Sequence, residues 1–311
     1  MLDCKMEELA PYARVARGAT IVFAKSILST PLALLYLAIL ARLISPSEMG
    51  ILTILGLIGS LATTLGDLGL RSSSAKFISE LIGRGNYLKA LSAYRKILLL
   101  SSVTSFLIAS LLFFMAPLLT AILIGNSTYE ILMLLLSISI PITVLVGVFL
   151  SFLQALQRMK ELAGFDFAYT NLNRFLGLIL LIAFGLSGIF YGSILAGILT
   201  IVLSLIVVRK YLKFKKNTTL TFPSSQLLSF SIPMLGVGLL SLALDWADRS
   251  MIWAYLSLSD LGIYQVATIA FSFLLLLPSA ISTALYPQLS ELYGRYGASA
   301  LSDAFKKLPD T

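Results

Sequence analysis

The sequence predicts an all-α integral membrane protein with about eight transmembrane helices. Hydrophobic residues make up 58% of the chain and charged residues only 12%, and the mean hydropathy is +0.93. Soluble domains carry about twice that share of charged residues. The apolar residues form continuous runs, which is typical of membrane helices, whereas the strands of a membrane barrel alternate apolar and polar residues.

Eight apolar runs are each long enough to cross a bilayer as a helix, which takes about 20 residues. The first run follows a charged lead and is too long for the core of a signal peptide, so we count it as a transmembrane helix. In chain order, the predicted spans are Ala19–Ala41, Gly50–Leu70, Ile97–Leu119, Ile131–Leu156, Phe167–Leu186, Ile189–Val208, Leu227–Tyr255 and Gly262–Pro287.

Lysine and arginine residues concentrate in alternate loops, and such loops stay on the cytoplasmic side of a membrane. Arg42 is the one basic residue in the loops of the other side. We therefore expect a multi-pass protein of the cytoplasmic membrane with both termini in the cytoplasm. The net charge of +8 reflects this bias and contact with anionic membrane lipids, so we expect no nucleic-acid partner. The basic residues of the predicted inner side are Lys5, Arg14, Arg17, Arg71, Lys76, Arg84, Lys89, Arg95, Lys96, Arg158, Lys160, Arg209, Lys210, Lys213, Lys215, Lys216, Arg295, Lys306 and Lys307.

The composition also argues against several kinds of chemistry. The single cysteine, Cys4, and the absence of histidine argue against zinc and haem sites. The sequence contains no Walker A motif or other loop that cradles phosphate groups. We expect no metal, no cofactor and no enzymatic activity.

Two pairs of similar segments reveal an internal repeat. Ser45–Ile51 ("SPSEMGI") resembles Ser257–Ile263 ("SLSDLGI"), and Ser79–Gly85 ("SELIGRG") resembles Ser290–Gly297 ("SELYGRYG"). Six predicted helices separate equivalent points, so the unit is a six-helix bundle, and an even number of spans makes the two copies parallel. We expect an N-terminal bundle in residues 1–216. Residues 217–311 would form an incomplete C-terminal bundle of two helices, apparently truncated, because a full copy would continue past Thr311.

The segment of residues 75–91, which we call the elbow, has an amphipathic sequence, unlike the apolar spans. "AKFISELIGRGNYLKAL" is typical of a short amphipathic helix that ends at a glycine-rich turn. We expect the elbow to anchor the bundle at the lipid headgroups of the inner surface, with no substrate contact from Arg84. Just before it, Asp67 and Arg71 are spaced as an i,i+4 ion pair at the inner end of the second helix.

Ionisable and amide groups inside the predicted spans are the candidates for substrate contact, because such groups are costly in a bilayer. Lys25 lies about two turns into the first helix, where it either faces a cavity or extends back to the interface. Asn171, Asn173 and Arg174 form a polar turn in the fifth helix, and Asn171 and Arg174 share a face. These three residues either line a lumen between the halves or lie at the interface.

Three charged residues, Asp245, Asp248 and Arg249, crowd one side of the seventh helix. Asp245 and Arg249 are placed to neutralise each other, which leaves Asp248 as a spare charge. One interpretation is a local salt bridge that makes insertion of the helix tolerable. The other is functional: Arg249 contacts the pyrophosphate of a lipid-linked sugar, for which its planar fork is suited. Asp248 or Asp245 would then respond to a coupling ion.

The stretch Ala41–Asn86 resembles the polysaccharide/O-antigen flippase family of the multidrug/oligosaccharidyl-lipid/polysaccharide exporter superfamily. It has a basic residue that ends the first helix, a Ser-Pro-x-acid-x-Gly outer loop, and Asp-Leu-Gly near the end of the second helix. Leu258–Ala267 and Leu285–Gly297 look like the corresponding pieces of the family's C-terminal half. The resemblance implies translocation of lipid-linked oligosaccharide or polysaccharide precursors by alternating access.

Two alternatives to a flippase stay open at this point. The first is an ion-coupled multidrug exporter of the same superfamily, for which we would expect more buried acid in the N-terminal bundle than Asp67 alone. The second is a truncated, partner-dependent membrane subunit that does not transport by itself. Family members have more helices than this chain, so self-association or a missing C-terminal part would be needed for a complete second bundle.

Overall fold

The structure, a computed structural model, describes residues 2–211 and 222–274. Nearly all of these residues are helical. A π-helical turn, Ser74–Ile78, joins α3 to α4, and a 3-10 turn, Ser127–Tyr129, precedes α6. The α-helices are α1 (Leu2–Leu43), α2 (Pro46–Asp67), α3 (Leu70–Ser73), α4 (Ser79–Gly83), α5 (Tyr87–Leu123), α6 (Glu130–Ala155), α7 (Met159–Phe184), α8 (Ser187–Tyr211), α9 (Ser224–Tyr255) and α10 (Leu258–Leu274).

Within the described residues, seven helices are long and apolar enough to cross a membrane. The prediction of an all-α integral membrane protein is therefore confirmed. A shorter apolar stretch, Leu258–Phe271, follows in α10, and the predicted eighth span, Gly262–Pro287, extends beyond the residues that the structure describes. The seven candidate spans are Phe23–Leu43, Pro46–Asp67, Tyr87–Leu123, Ser127–Ala155, Met159–Phe184, Ser187–Val208 and Ser224–Tyr255.

Three helices begin well before their predicted spans, the first being α1, which begins at Leu2 instead of Ala19. Helix α5 begins at Tyr87 instead of Ile97, and α7 begins at Met159 instead of Phe167. The added turns carry charged residues, which end an apolar run but do not end a helix, because backbone hydrogen bonding continues through them. One consequence is that Asp166 lies inside α7 and faces other helices.

The basic residues of the second and fourth loops lie at one end of the bundle, which we call the basic end. Helix α2 finishes there with Leu68 and Gly69 in left-handed conformations, at φ values of 50° and 71°. Helix α9 packs against this turn: the Ser73 and Ser231 hydroxyl oxygens are 2.6 Å apart. A Cβ on Gly69 would lie 2.4 Å from the Ser231 carbonyl oxygen, so only glycine fits this approach.

The elbow is helical up to its glycine turn, as predicted, and its first turn is π-helical. The π-helical turn and α4 run without a break to Gly83, a turn at Gly85 follows, and α5 begins at Tyr87. Ile78 is fully buried, and the Ser79 hydroxyl donates to the Ala155 carbonyl at 3.2 Å. The elbow therefore packs into the basic end of the bundle instead of resting only on lipid headgroups, because its apolar side finds α5 and α6 as partners.

Both copies of the repeated Ser-x-Ser-acid segment begin a helix in the same way. The Glu48 backbone N–H donates to the Ser45 hydroxyl, and the Ser45 N–H donates to the Glu48 carboxylate at 2.7 Å. Asp260 and Ser257 repeat this reciprocal pair at the start of α10, with distances of 3.2 Å and 3.1 Å. These are capping boxes, which satisfy backbone donors at a helix start. They explain why the outer-loop sequence recurs.

The same repeat joins α2 to α10 at the end opposite the basic end. A Cβ on Gly50 would lie 1.9 Å from the Leu258 carbonyl oxygen, and a Cβ on Gly262 would lie 1.9 Å from the Pro46 carbonyl oxygen. Both pairs of equivalent residues are related by the 212-residue offset of the repeat. The two copies therefore contact each other through a reciprocal pair of glycines, which we call the glycine clasp.

The division of the chain into residues 1–216 and 217–311 stays a prediction. The glycine clasp fits a parallel repeat, because equivalent residues of the two copies meet. The second copy of the elbow motif, Ser290–Gly297, lies outside the described residues, as does much of the predicted C-terminal unit.

Candidate functional site

A central cavity of about 650 Å³ lies between the first six spans and the two helices that follow them. Helices α1, α2, α6, α7 and α8 line it on one side, and Trp246 of α9 with Gln265 of α10 lines it on the other. Its polar groups are hydroxyls, amides and a single guanidinium. Those with the longest reach are Tyr36, Tyr169, Asn173, Arg174 and Gln265.

The polar turn of α7 supplies the positive charge of the central cavity. Asn173 and Arg174 line the cavity directly. Asn171 is only 5% exposed and donates its amide N–H to the Phe167 carbonyl at 2.8 Å. Its amide oxygen accepts from a terminal nitrogen of Arg174 at 3.4 Å. The shared face of Asn171 and Arg174 is as predicted, and Asn171 positions the guanidinium without lining the cavity itself.

Lys25 lies apart from the central cavity. Its ammonium nitrogen is 2.5 Å from a carboxylate oxygen of Asp166 on α7, and both side chains are partly buried. The two residues line a second cavity of about 580 Å³, which we call the basic-end cavity. The sequence pattern left open whether Lys25 faces a cavity or extends to the interface, and the cavity that it lines lies at the basic end.

Arg249 does not form the predicted ion pair with Asp245. Its guanidinium donates to the Asp245 backbone carbonyl and, at 2.8 Å, to the Gln265 side-chain oxygen of α10. It also stacks over the Trp246 ring, 4.8 Å from the centroid. The pairing prediction was wrong because helical spacing identifies a shared face but not the acceptors that a neighbouring helix brings to it.

Asp248, the spare charge of the sequence analysis, is hydrogen-bonded to neutral donors in the structure. Its carboxylate accepts the Tyr264 hydroxyl of α10 and the Arg249 backbone N–H. Asp245 and Asp248 are both exposed, and neither lines one of the two cavities in the part of the chain that the structure describes. Arg249 reaches the central cavity only through its two lining contacts, Trp246 and Gln265.

Several residues of the two cavities were missed by the sequence reading. Asp166 fell just outside the predicted fifth span, and Arg71 and Lys76 were taken only as markers of the inner side. Tyr169 and Gln265 gave no signal, since uncharged polar residues are common in membrane helices. The predicted ion pair between Asp67 and Arg71 is present, with 3.3 Å between Oδ1 and Nε.

No group of three or more histidine, cysteine, aspartate or glutamate side chains suited to a metal ion occurs among the described residues. The two cavities thus offer hydrogen bonds, cation contacts and shape. These are the means by which a protein binds and moves a ligand.

A bundle of membrane-crossing helices around a polar cavity defines a multi-pass membrane protein with a transporter-like architecture. Over residues 15–293 the sequence matches the family described as polysaccharide biosynthesis protein. That match spans most of the chain, so this chain belongs to the polysaccharide biosynthesis protein family. The resemblance drawn from the loop motifs is therefore confirmed.

A solved structure has a similar fold, namely a multidrug resistance MATE family transporter of the MOP superfamily in an outward-facing conformation. The two superpose with a TM-score of 0.65 at 18% sequence identity, over 94% of this chain and 67% of that chain. At this identity the likeness concerns the fold. Among curated proteins, none matches the sequence.

Proposed function

We propose that this protein translocates lipid-linked oligosaccharide or polysaccharide precursors across the cytoplasmic membrane, with both termini in the cytoplasm and without covalent chemistry. Family membership supports a role in polysaccharide biosynthesis. The observation that carries the proposal is the central cavity, which combines hydroxyl and amide groups with Arg174. Hydroxyls and amides can bond the hydroxyl groups of sugars, and an arginine suits an anionic phosphate.

The charge of the central cavity favours an anionic ligand over a cationic drug. Its described lining contains Arg174 and no aspartate or glutamate. An exporter of cationic drugs needs a carboxylate that faces its ligand, since an unpaired cation is costly in a bilayer. The ion-coupled multidrug exporter therefore stays the second candidate, supported by the fold of the similar transporter alone.

Alternating access is the mechanism that we propose for this translocation. The glycine clasp packs α2 against α10 at the end opposite the basic end, beside Met49 and Leu52 of the central-cavity lining. In this mechanism a ligand passes that end when the two helices separate. We therefore assign the clasp as the contact that opens when the cavity faces outward. That a second copy or further helices complete the second bundle stays a prediction.

The test is a translocation assay in reconstituted vesicles with a fluorescent lipid-linked oligosaccharide. We expect Arg174→Ala to lower the translocation rate about 100-fold, because a desolvated charge–phosphate contact is worth roughly 2–3 kcal/mol. Lys89→Ala, an exposed basic residue that lines neither cavity, serves as the control. Translocation of a lipophilic cation by the wild-type protein, without translocation of the oligosaccharide, would select the second candidate instead.

A further inference from the structure

The basic-end cavity is lined by a different set of residues from the central cavity. The two cavities have no lining residue in common. The basic-end cavity is lined entirely by residues of the predicted N-terminal bundle, from α1, α3, the π-helical turn, α6 and α7. At about 580 Å³ it has room for a lipid headgroup.

Three cations from three elements converge on this cavity: Lys25 of α1, Arg71 of α3 and Lys76 of the π-helical turn. Two of them already contact a carboxylate, Lys25 at Asp166 and Arg71 at Asp67. Lys76 does not. Among the described residues no carboxylate lies within 4.0 Å of its ammonium group, which instead sits 3.9 Å from the centroid of the Phe230 ring. The cavity therefore keeps an excess of positive charge.

The Arg71 guanidinium has an N–H group without an aligned hydrogen-bond partner. Its guanidinium lies against Gly147 of α6, where a Cβ would come within 2.3 Å of Cζ. The Nε atom is buried and has no aligned hydrogen-bond partner, although it lies 3.3 Å from the Asp67 carboxylate. Gly147 thus leaves the space that this guanidinium occupies. A guanidinium in such a position can donate two parallel hydrogen bonds to a phosphate group.

We propose that the basic-end cavity binds the phosphate group of a membrane-embedded lipid, held by Lys76 and Arg71. Clusters of basic residues at the ends of membrane helices recognise anionic headgroups. Asp166 competes with the phosphate for Lys25 and so weakens the site. The phosphate comes either from a bulk anionic phospholipid or from the diphosphate of a polyprenyl-linked lipid, and only the second source rests on the proposed function.

The experiment is native mass spectrometry of the purified full chain in detergent, with four added lipids. Polyprenyl diphosphate and phosphatidylglycerol carry the anionic phosphate, whereas polyprenol and phosphatidylcholine are their controls. We expect Lys76→Gln to weaken binding of a phosphate lipid about tenfold, which is the loss of one charged contact. Asp166→Asn should strengthen binding about threefold, because Lys25 becomes free to contact the phosphate.

Three further variants keep the test independent of folding. Gly147→Ala displaces the flexible end of Arg71 without touching its charge, so it should lower binding while the protein folds normally. Gly164→Ala is its control, since a Cβ there meets nothing within 4 Å. Lys89→Gln removes an exposed charge of the same end and should change nothing.

The outcomes separate the ligand source from the site itself. If Lys76→Gln weakens binding of both phosphate lipids, the site exists and bulk phospholipid is one of its ligands. If it weakens binding of polyprenyl diphosphate alone, the site exists and takes the polyprenyl-linked lipid. The inference is overturned if Lys76→Gln and Gly147→Ala bind the phosphate lipids as tightly as the wild type does. It is also overturned if polyprenol, which has no phosphate, binds as tightly as polyprenyl diphosphate. Binding is measured without transport. A protein that binds through Lys76 but moves no lipid would refute only the proposed function.

Discussion

The central cavity and the basic-end cavity are similar in volume but differ in chemistry and in origin. The central cavity is built by both halves and offers mostly neutral donors and acceptors around Arg174. The basic-end cavity is built by the first half alone and gathers three cations beside Asp166. The first environment suits sugar hydroxyls with a phosphate at Arg174, whereas the second suits phosphate oxygens alone. Contacts between the halves should therefore matter for the central cavity only. A variant that disturbs those contacts can then change the central cavity and leave the basic-end cavity intact.

The largest effect should come from Gly50→Ala, which breaks the glycine clasp. The new methyl group would lie 1.9 Å from the Leu258 carbonyl oxygen, and a backbone atom cannot rotate aside. We expect the unfolding free energy to fall by about 1–3 kcal/mol, as overpacking does, because α10 must shift. Translocation should fall to background, since α10 carries Gln265 of the central cavity.

Phosphate-lipid binding at the basic-end cavity should survive Gly50→Ala, because α10 contributes nothing to that lining. On one preparation, thermal unfolding in detergent measures stability, a vesicle assay measures translocation, and native mass spectrometry measures phosphate-lipid binding. Gly236→Ala in α9, where a Cβ meets nothing within 4 Å, is the matched control. If Gly50→Ala translocated lipid at the wild-type rate, the glycine clasp would have no role in the transport cycle.

A smaller effect is expected within the central cavity from Asn171→Ala. Asn171 accepts a hydrogen bond from Arg174 but does not line the cavity, so its removal frees the guanidinium without deleting the charge. We expect the translocation rate to fall about tenfold, which corresponds to about 1.4 kcal/mol and to one hydrogen bond. That is less than the loss expected for Arg174→Ala.

Thr200→Ala is the matched control for Asn171→Ala. Thr200 is as buried as Asn171 and donates to the Ala196 carbonyl of its own helix at 2.8 Å, yet it lines neither cavity. Both variants should cost similar stability by thermal unfolding. If Thr200→Ala slowed translocation as much as Asn171→Ala did, the effect would be one of stability, and Asn171 would not be a positioning residue.

The sequence predicted the membrane fold well and the cavities only in part. Continuous apolar runs locate spans reliably, because a bilayer demands them. The predicted run for α7 began at Phe167 and excluded Asp166, since hydropathy measures apolarity and not hydrogen bonding. The repeat pointed to Gly50 and Gly262, but only packing shows that they face each other. The wrong pair, Asp245 with Arg249, failed because Gln265 on another helix supplied an acceptor that no local pattern encodes.

A modest effect is expected from Ser257→Ala, which removes the capping box of α10. Its hydroxyl accepts the Asp260 N–H at 3.2 Å, and loss of such a cap costs about 1 kcal/mol. The start of α10 should fray, so translocation should slow a few-fold while phosphate-lipid binding stays at the wild-type level. Ser229→Ala, an exposed serine bonded within α9, is the control. Equal loss in both assays would contradict the separation of the cavities.

The smallest effect is expected from Arg84→Ala, which serves as the comparison for Lys76 at the basic end. Arg84 pairs with Glu80 at 2.5 Å, but both side chains are largely exposed, and such pairs contribute about 0.2–1 kcal/mol. Arg84 lies only eight residues from Lys76 but lines neither cavity. Thermal unfolding, translocation and phosphate-lipid binding should all match the wild type.

The contrast between Arg84 and Lys76 decides what the basic end recognises. Both side chains carry the same charge near the same membrane surface, so a diffuse attraction between surface charge and anionic lipid would weaken equally when either is removed. A defined cavity responds only to Lys76, because Lys76 lines it together with Arg71 and Lys25 and Arg84 does not. Repeating the native mass spectrometry of both variants at low and high salt separates the two cases, since screening removes the diffuse attraction first.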